Sequence, residues 1–205
     1  MTMDNNGLSA ITDSASAETS REVSMTPMLI NFVAFQVGWF ACVLGGAHQF
    51  PWLGTLMVSI IIAVHLSRAS QPRAEFLLIL LAIIIGSVWD SFLVWRGWLE
   101  YPSGTLIADT APHWILAMWG VFATTLNLSL RWLKGRWFIA ILSGAIAGPL
   151  AYYAGARLGG VVFTEQTTAL IALSLGWAVL MPLLMALSQR LDGFPNLATV
   201  RRTAS

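Results

Sequence analysis

Residues 86–114, GSVWDSFLVWRGWLEYPSGTLIADTAPHW, contain the end of one apolar helix, a polar loop and the start of the next helix. Asp90 lies inside the apolar part, where an ionised side chain costs about 2.5–3.5 kcal/mol on insertion scales. Such a residue calls for a partner, a function or both. The loop adds Arg96, Glu100 and Asp109, and Pro112-His113-Trp114 opens the following helix.

The surrounding chain is that of a membrane protein. Of 205 residues, 57% are hydrophobic and 10% charged, against roughly 25% charged in soluble domains. Apolar segments at 28–46, 52–67, 76–95, 113–131, 137–155 and 168–187 are near the roughly 17–25 residues a spanning helix needs. The second is the shortest and the least secure as a full span. Gly45-Gly46, Pro51, Pro72, Pro102 with Gly104, Gly135 and Gly159-Gly160 punctuate the breaks. Trp52, Trp95, Trp98, Trp114, Trp132 and Trp137 fall at segment ends, where an interfacial aromatic belt would hold them. The expected fold is all-α, a polytopic bundle of six transmembrane helices over 28–190. A polar, disordered tail over 1–27 and a tail over 191–205 complete the domain reading.

Orientation follows from the cations. With six spans, Arg21, Arg68, Arg73, Arg131, Lys134, Arg136, Arg190, Arg201 and Arg202 share one side, and Arg96 and Arg157 the other. The positive-inside rule then puts both termini in the cytoplasm. A net charge of +1 suggests no nucleic-acid partner. The single cysteine, Cys42, excludes an intramolecular disulfide and reads as a small packing residue. Leu66-Ser67-Arg68, Leu128-Ser129-Leu130-Arg131 and Leu187-Ser188-Gln189-Arg190 close the helices that return to that side. This weak echo is consistent with three repeated helical hairpins, or with the ordinary basic character of inward helix ends.

Small and polar residues should mark helix contacts in lipid. His113, Ala117, Gly120, Thr124, Asn127 and Arg131 form one such stripe on segment four. Ala140, Gly144, Ala147, Ala151 and Ala154 form another on segment five, and Asn31, Ala34, Gly38, Ala41 and Gly45 a third on segment one. The expectation is that segments one, four and five meet closely. Asn31 and Asn127 are read as structural polar residues that hydrogen-bond between helices.

The topology places Asp90, His113, Tyr152, Tyr153, Arg157, Glu165, His48, Arg96 and Glu100 at the non-cytoplasmic end. Asp90 and His113 are the candidate catalytic pair, a carboxylate setting the imidazole tautomer for general-base work. Arg96, Tyr153, Arg157, Glu165 and His48 are candidate substrate contacts, an arginine holding an anionic head group. The competing reading of Asp90 is a structural salt bridge to Arg96 or Arg157. Tyr152 and Tyr153 also read as belt residues, and His65 as packing or interfacial. Two histidines and scattered acids without an i, i+4 pair assign no metal, and no motif assigns a cofactor.

Blocks 31–46 (NFVAFQVGWFACVLGG), 86–104, 111–133 (APHWILAMWGVFATTLNLSLRWL) and 148–160 (GPLAYYAGARLGG) resemble a bacterial multi-pass inner-membrane family, domain of unknown function 2878. The resemblance implies an inner-membrane protein and gene neighbourhoods for modifying membrane fatty acids, with no catalytic residue to carry over. Three functions follow as expectations. The first is a small membrane-embedded enzyme or accessory factor acting on lipid or another apolar substrate at the periplasmic leaflet. The others are a proton-coupled transporter or carrier, and a structural partner of another membrane protein. Oligomeric state is not set by the sequence.

Overall fold

The computed structural model describes the backbone of residues 5–194 and the side chains of residues 26–194. Six helices follow one another: α1 (Asn5–Ala47), α2 (Pro51–Arg68), α3 (Pro72–Trp95), α4 (His113–Leu126), α5 (Trp137–Arg157) and α6 (Gln166–Arg190). Two-residue strands β1 (Leu99–Glu100) and β2 (Val162–Phe163) pair antiparallel, Leu99 opposite Phe163. They clasp the loop after α3 to the loop after α5 at what we call the strand end. Arg68, Arg73, Arg131, Lys134, Arg136 and Arg190 lie at the other, the basic end.

Local chemistry explains the breaks. Pro51 and Pro72 open α2 and α3, where a missing N–H is harmless and φ is pre-set. Gly97 (φ +68°) and Gly159 (φ +84°) turn the chain just past α3 and α5, as left-handed residues beyond a helix end do. The α2 helix is continuous over 18 residues, about 27 Å, close to the roughly 30 Å of hydrocarbon.

Five helices, counting the Thr26–Ala47 part of α1, are long and apolar enough to cross a membrane, and α4 is a shorter apolar helix of 14 residues. Leu29, Phe32, Val33, Val37 and Phe40 on α1, and Leu175 and Val179 on α6, point outward, as lipid-facing residues should. The protein is therefore an all-α, multi-pass membrane protein. Its consecutive helices pair as three antiparallel hairpins, α1–α2, α3–α4 and α5–α6.

Four expectations change. Segment four stops being helical at Leu126, not at residue 131. Asn127, Leu128 and Leu130 turn back on the carbonyl of Thr125 before a short 3-10 turn at Arg131–Leu133. This helix is enclosed by α1, α2 and α3, so lipid thickness does not dictate its length. Second, α1 begins at Asn5, so its helix extends back over residues 5–27, ahead of the apolar segment. No glycine or proline between Leu8 and Met25 interrupts them. Third, the Gly144 and Gly148 pair of α5 packs on α6, not on α1 and α4. A side chain at Gly144 would overlap the Trp177 carbonyl, and one at Gly148 the Trp177 ring. Fourth, Trp114 is fully buried rather than in the belt. It fits against Gly46 and Gly104 and donates its indole N–H to the Ser103 carbonyl at 3.0 Å. The Arg21 side chain and residues 195–205, with Arg201 and Arg202, lie outside the described residues.

Candidate functional site

On α3, Gly86 and Asp90 sit one turn apart on the same face. Any side chain at Gly86 would overlap the Trp119 ring, so the glycine lets α4 bring that indole against α3. The Asp90 carboxyl, fully buried, then accepts three hydrogen bonds from neutral donors. Trp119 Nε1 donates to Oδ2 at 2.6 Å. The hydroxyls of Tyr152 and Tyr101 donate to Oδ1 at 2.5 and 3.2 Å. Burial and the neighbouring Asp90 carboxyl hold the Tyr101 hydroxyl well above the ordinary phenol range, which keeps it a donor. A buried carboxyl without such partners would cost several kcal/mol. Here helices α3, α4 and α5 and the strand-end loop each contribute one member of the cluster.

Two of those donors also line a cavity. A slot of about 300 Å³ opens between α1 and α5, with α4 and α6 behind it. Its walls are almost wholly apolar: Phe35 and Trp39 from α1, Phe122 from α4, Ala147 and Ala151 from α5, and Trp177 from α6. Trp119 and Trp177 stack within it, ring centroids 4.8 Å apart and 9° from parallel. It reaches from Trp114 and Val161 near the strand end to Trp132 and Leu133 near the basic end, so it runs much of the bundle's length. Asp90 lies behind Tyr152 and Trp119, out of contact with the slot.

The other expected site residues do not join Asp90. His113 Nδ1 shares a 2.7 Å hydrogen bond with Thr55 Oγ1, and its ring stacks on Trp52 at 4.0 Å. The Asp90–His113 pair therefore does not form; its place is taken by aromatic donors, because the first turn of α4 faces α2 while Trp119, further along, faces α3. The alternative salt bridge does not form either. Arg96 stacks on Trp98, its guanidinium 5.1 Å from the ring centre, and neither Arg96 nor Arg157 has an ion pair among the described residues. Tyr153 and Arg157 are exposed, and Glu165 is an exposed acceptor for Thr168. His48 bonds back to the Leu44 carbonyl at 2.9 Å. These residues share an end of the bundle without forming one pocket. Among the described residues, no three His, Cys, Asp or Glu side chains are grouped to hold a metal ion.

A second polar cluster occupies the basic end. Glu75, fully buried in the first turn of α3, accepts from His65 Nε2 (2.8 Å), Asn127 Nδ2 (2.5 Å) and the Gly193 amide (2.9 Å). If neutral, the His65 ring is then the Nε2–H tautomer. Lys134 bridges Asn127 Oδ1, the Ser188 carbonyl and Asp192, and Arg131 pairs with both oxygens of Asp192. Burial pushes the Asp192 carboxyl up, but the Phe194 amide, Lys134 and Arg131 outweigh it and hold it below its usual value. Residues 191–194, read from sequence as the start of a tail, are thus built into the bundle. Nearby, Asn31 donates to the Thr124 carbonyl at 3.2 Å and accepts from the Ser129 hydroxyl at 2.7 Å, joining α1 to α4.

Tyr101 and Trp119 were not legible as Asp90 partners. One signal pointed to Trp119: an indole in the middle of a segment, away from the belt, has an N–H that needs an acceptor. Glu75 and His65, ten residues apart across a turn, carried no such signal.

A family model described as Protein of unknown function (DUF2878) matches residues 28–183, and the chain belongs to that family. No curated protein and no solved structure matches it.

Proposed function

We propose that this family member binds the apolar chain of a membrane lipid in the slot between α1 and α5, and serves there as a small membrane enzyme or accessory factor acting on that lipid. The basic end faces the cytoplasm of a bacterial inner membrane and the strand end the periplasm, a placement supported by the nine-to-two division of cations. The observation that carries the reading is the slot itself. It lies between helices whose outer faces carry exposed Phe, Leu and Val, so the medium at its mouth is hydrocarbon. Its lining is aromatic and apolar except near the Tyr152 hydroxyl and Ser143.

Tyr152 supplies the polar recognition. Its proton is committed to Asp90, which leaves the phenolic oxygen able to accept from a hydroxyl or amide on the bound molecule. Asp90 positions Tyr152 and Trp119 together, so the Asp90 carboxyl shapes the slot without touching its occupant.

The test fills the slot. Ala147 lines it, whereas Leu142 lies on the same helix, exposed, outside it. Protein purified in mild detergent is analysed by native mass spectrometry for retained lipid. Wild type and Leu142→Trp should keep a bound lipid, and Ala147→Trp should lose most of it. Equal retention by all three would sink the proposal.

A further inference from the structure

A second cavity, about 720 Å³, lies at the basic end on the α2 side of α1, away from the slot. Ile30, Ala34, Ile60 and Val64 give it apolar walls. Arg68, Ser70 and His65 line it towards the basic end. Arg68 is exposed and has no ion pair among the described residues. His65 differs from a surface histidine. Its side chain is only 5% exposed, and its Nε2 is fixed by the fully buried Glu75. Nδ1 makes no hydrogen bond among the described residues, so one ring nitrogen of a rigidly held imidazole remains for a ligand. Phe194 packs 5.1 Å from the ring and lines the same cavity. Glu75 is itself held by Asn127 and Gly193, so the imidazole is set by three elements before any ligand arrives.

We infer that this cavity binds an anionic phospholipid, with Arg68 on the phosphate, His65 Nδ1 on the head group and one acyl chain along Val64 and Ile60. A guanidinium fork matches phosphate oxygens in a bidentate manner. Basic pockets between membrane helices suit phospholipid head groups. The apolar walls and the polar lining at the basic end match the two halves of an amphiphile, which a free anion would leave half unused. The inference is independent of the slot: the two cavities share α1 but no lining residue, and filling the slot leaves this cavity open.

The test uses the full chain in nanodiscs of phosphatidylcholine, titrated with phosphatidylglycerol and, separately, with inorganic phosphate. Retained lipid is read by native mass spectrometry. Wild type should select phosphatidylglycerol over phosphatidylcholine, and millimolar phosphate should not displace it. Arg68→Gln, at an exposed position that leaves the fold intact, should weaken that selection about tenfold, the loss of one charged hydrogen bond. His65→Gln should weaken it as well, and Val64→Trp should block it by filling the cavity. Equal retention of the two lipids by wild type, unchanged selection in both Arg68→Gln and Val64→Trp, or saturation by free phosphate alone would each overturn the inference.

Discussion

The two buried carboxyls among the described residues are satisfied in opposite ways. Glu75 at the basic end is bonded by a histidine, an amide side chain and a backbone amide. Around it Lys134, Arg131 and Asp192 tie the start of the C-terminal segment to the turn after α4. Asp90 at the strand end is bonded only by two phenols and an indole, and two of those side chains also form the wall of a cavity. A charge network closed on itself holds elements together. A carboxyl that steers cavity-lining aromatics sets the shape of a binding surface. The comparison teaches that burial of an acid does not by itself mark function; what its donors face does.

The largest expected effect lies at the basic end. Glu75→Ala strands the donors of His65, Asn127 and Gly193, and breaking a buried pair in this way typically costs about 3–5 kcal/mol. The unfolding midpoint in detergent should fall sharply, with little folded protein recovered. A variant as stable as wild type would show that the network is not what holds the segment after α6.

Next comes the α5–α6 seam. Gly144→Leu forces a side chain into the Trp177 backbone, an overpacking cost of about 1–3 kcal/mol. Leu142→Ala removes an exposed side chain and should stay within about 0.5 kcal/mol of wild type. Thermal stability of the two variants side by side checks this, and equal losses would contradict the packing described.

Asp90→Asn should cost about 1–3 kcal/mol, since one amide oxygen cannot accept from all three donors and its NH₂ group opposes an N–H or O–H. The sharper expectation is a loss of retained lipid in protein that still folds. Loss of stability with full lipid retention would reduce Asp90 to a structural residue like Glu75.

The smallest effect is at Asp192, about 1 kcal/mol or less for a partly exposed pair. Its folded pKa lies below the ordinary value, so the pairing stabilises the protein above about pH 4 and the contribution is lost as pH falls through the lower, folded value. Asp192→Asn should therefore be less stable than wild type at pH 7. The gap should close as acid protonates the wild-type carboxyl, and a gap independent of pH would show that charge is not the cause.

Much of this architecture is written in the chain. Six apolar segments, Pro51 and Pro72 at helix starts and the segregated cations were readable because they depend on local period and composition. Asp90 stood out because a charge in an apolar run is costly wherever it points. Its partners did not, because the direction of the Trp119 indole depends on Gly86 in another helix. The neighbour of α5 is hidden for a related reason. The glycine and alanine stripe of α5 announces a close neighbour without saying which, and Trp177 of α6 took the place expected for α4. The His65–Glu75 pair was hidden by position, since an acid and a histidine near helix ends resemble interfacial residues until Gly193 and Asn127 close over them.

The most direct test of the central claim is photocrosslinking with a lipid that carries a diazirine midway along one acyl chain, followed by peptide mapping of the adducts. Adducts should concentrate on slot residues such as Trp39, Phe122, Ala147 and Ala151, and Ala147→Trp should abolish that concentration. Adducts spread evenly over outward-facing positions such as Phe32, Leu175 and Val179, unchanged by Ala147→Trp, would mean that the slot holds no lipid chain.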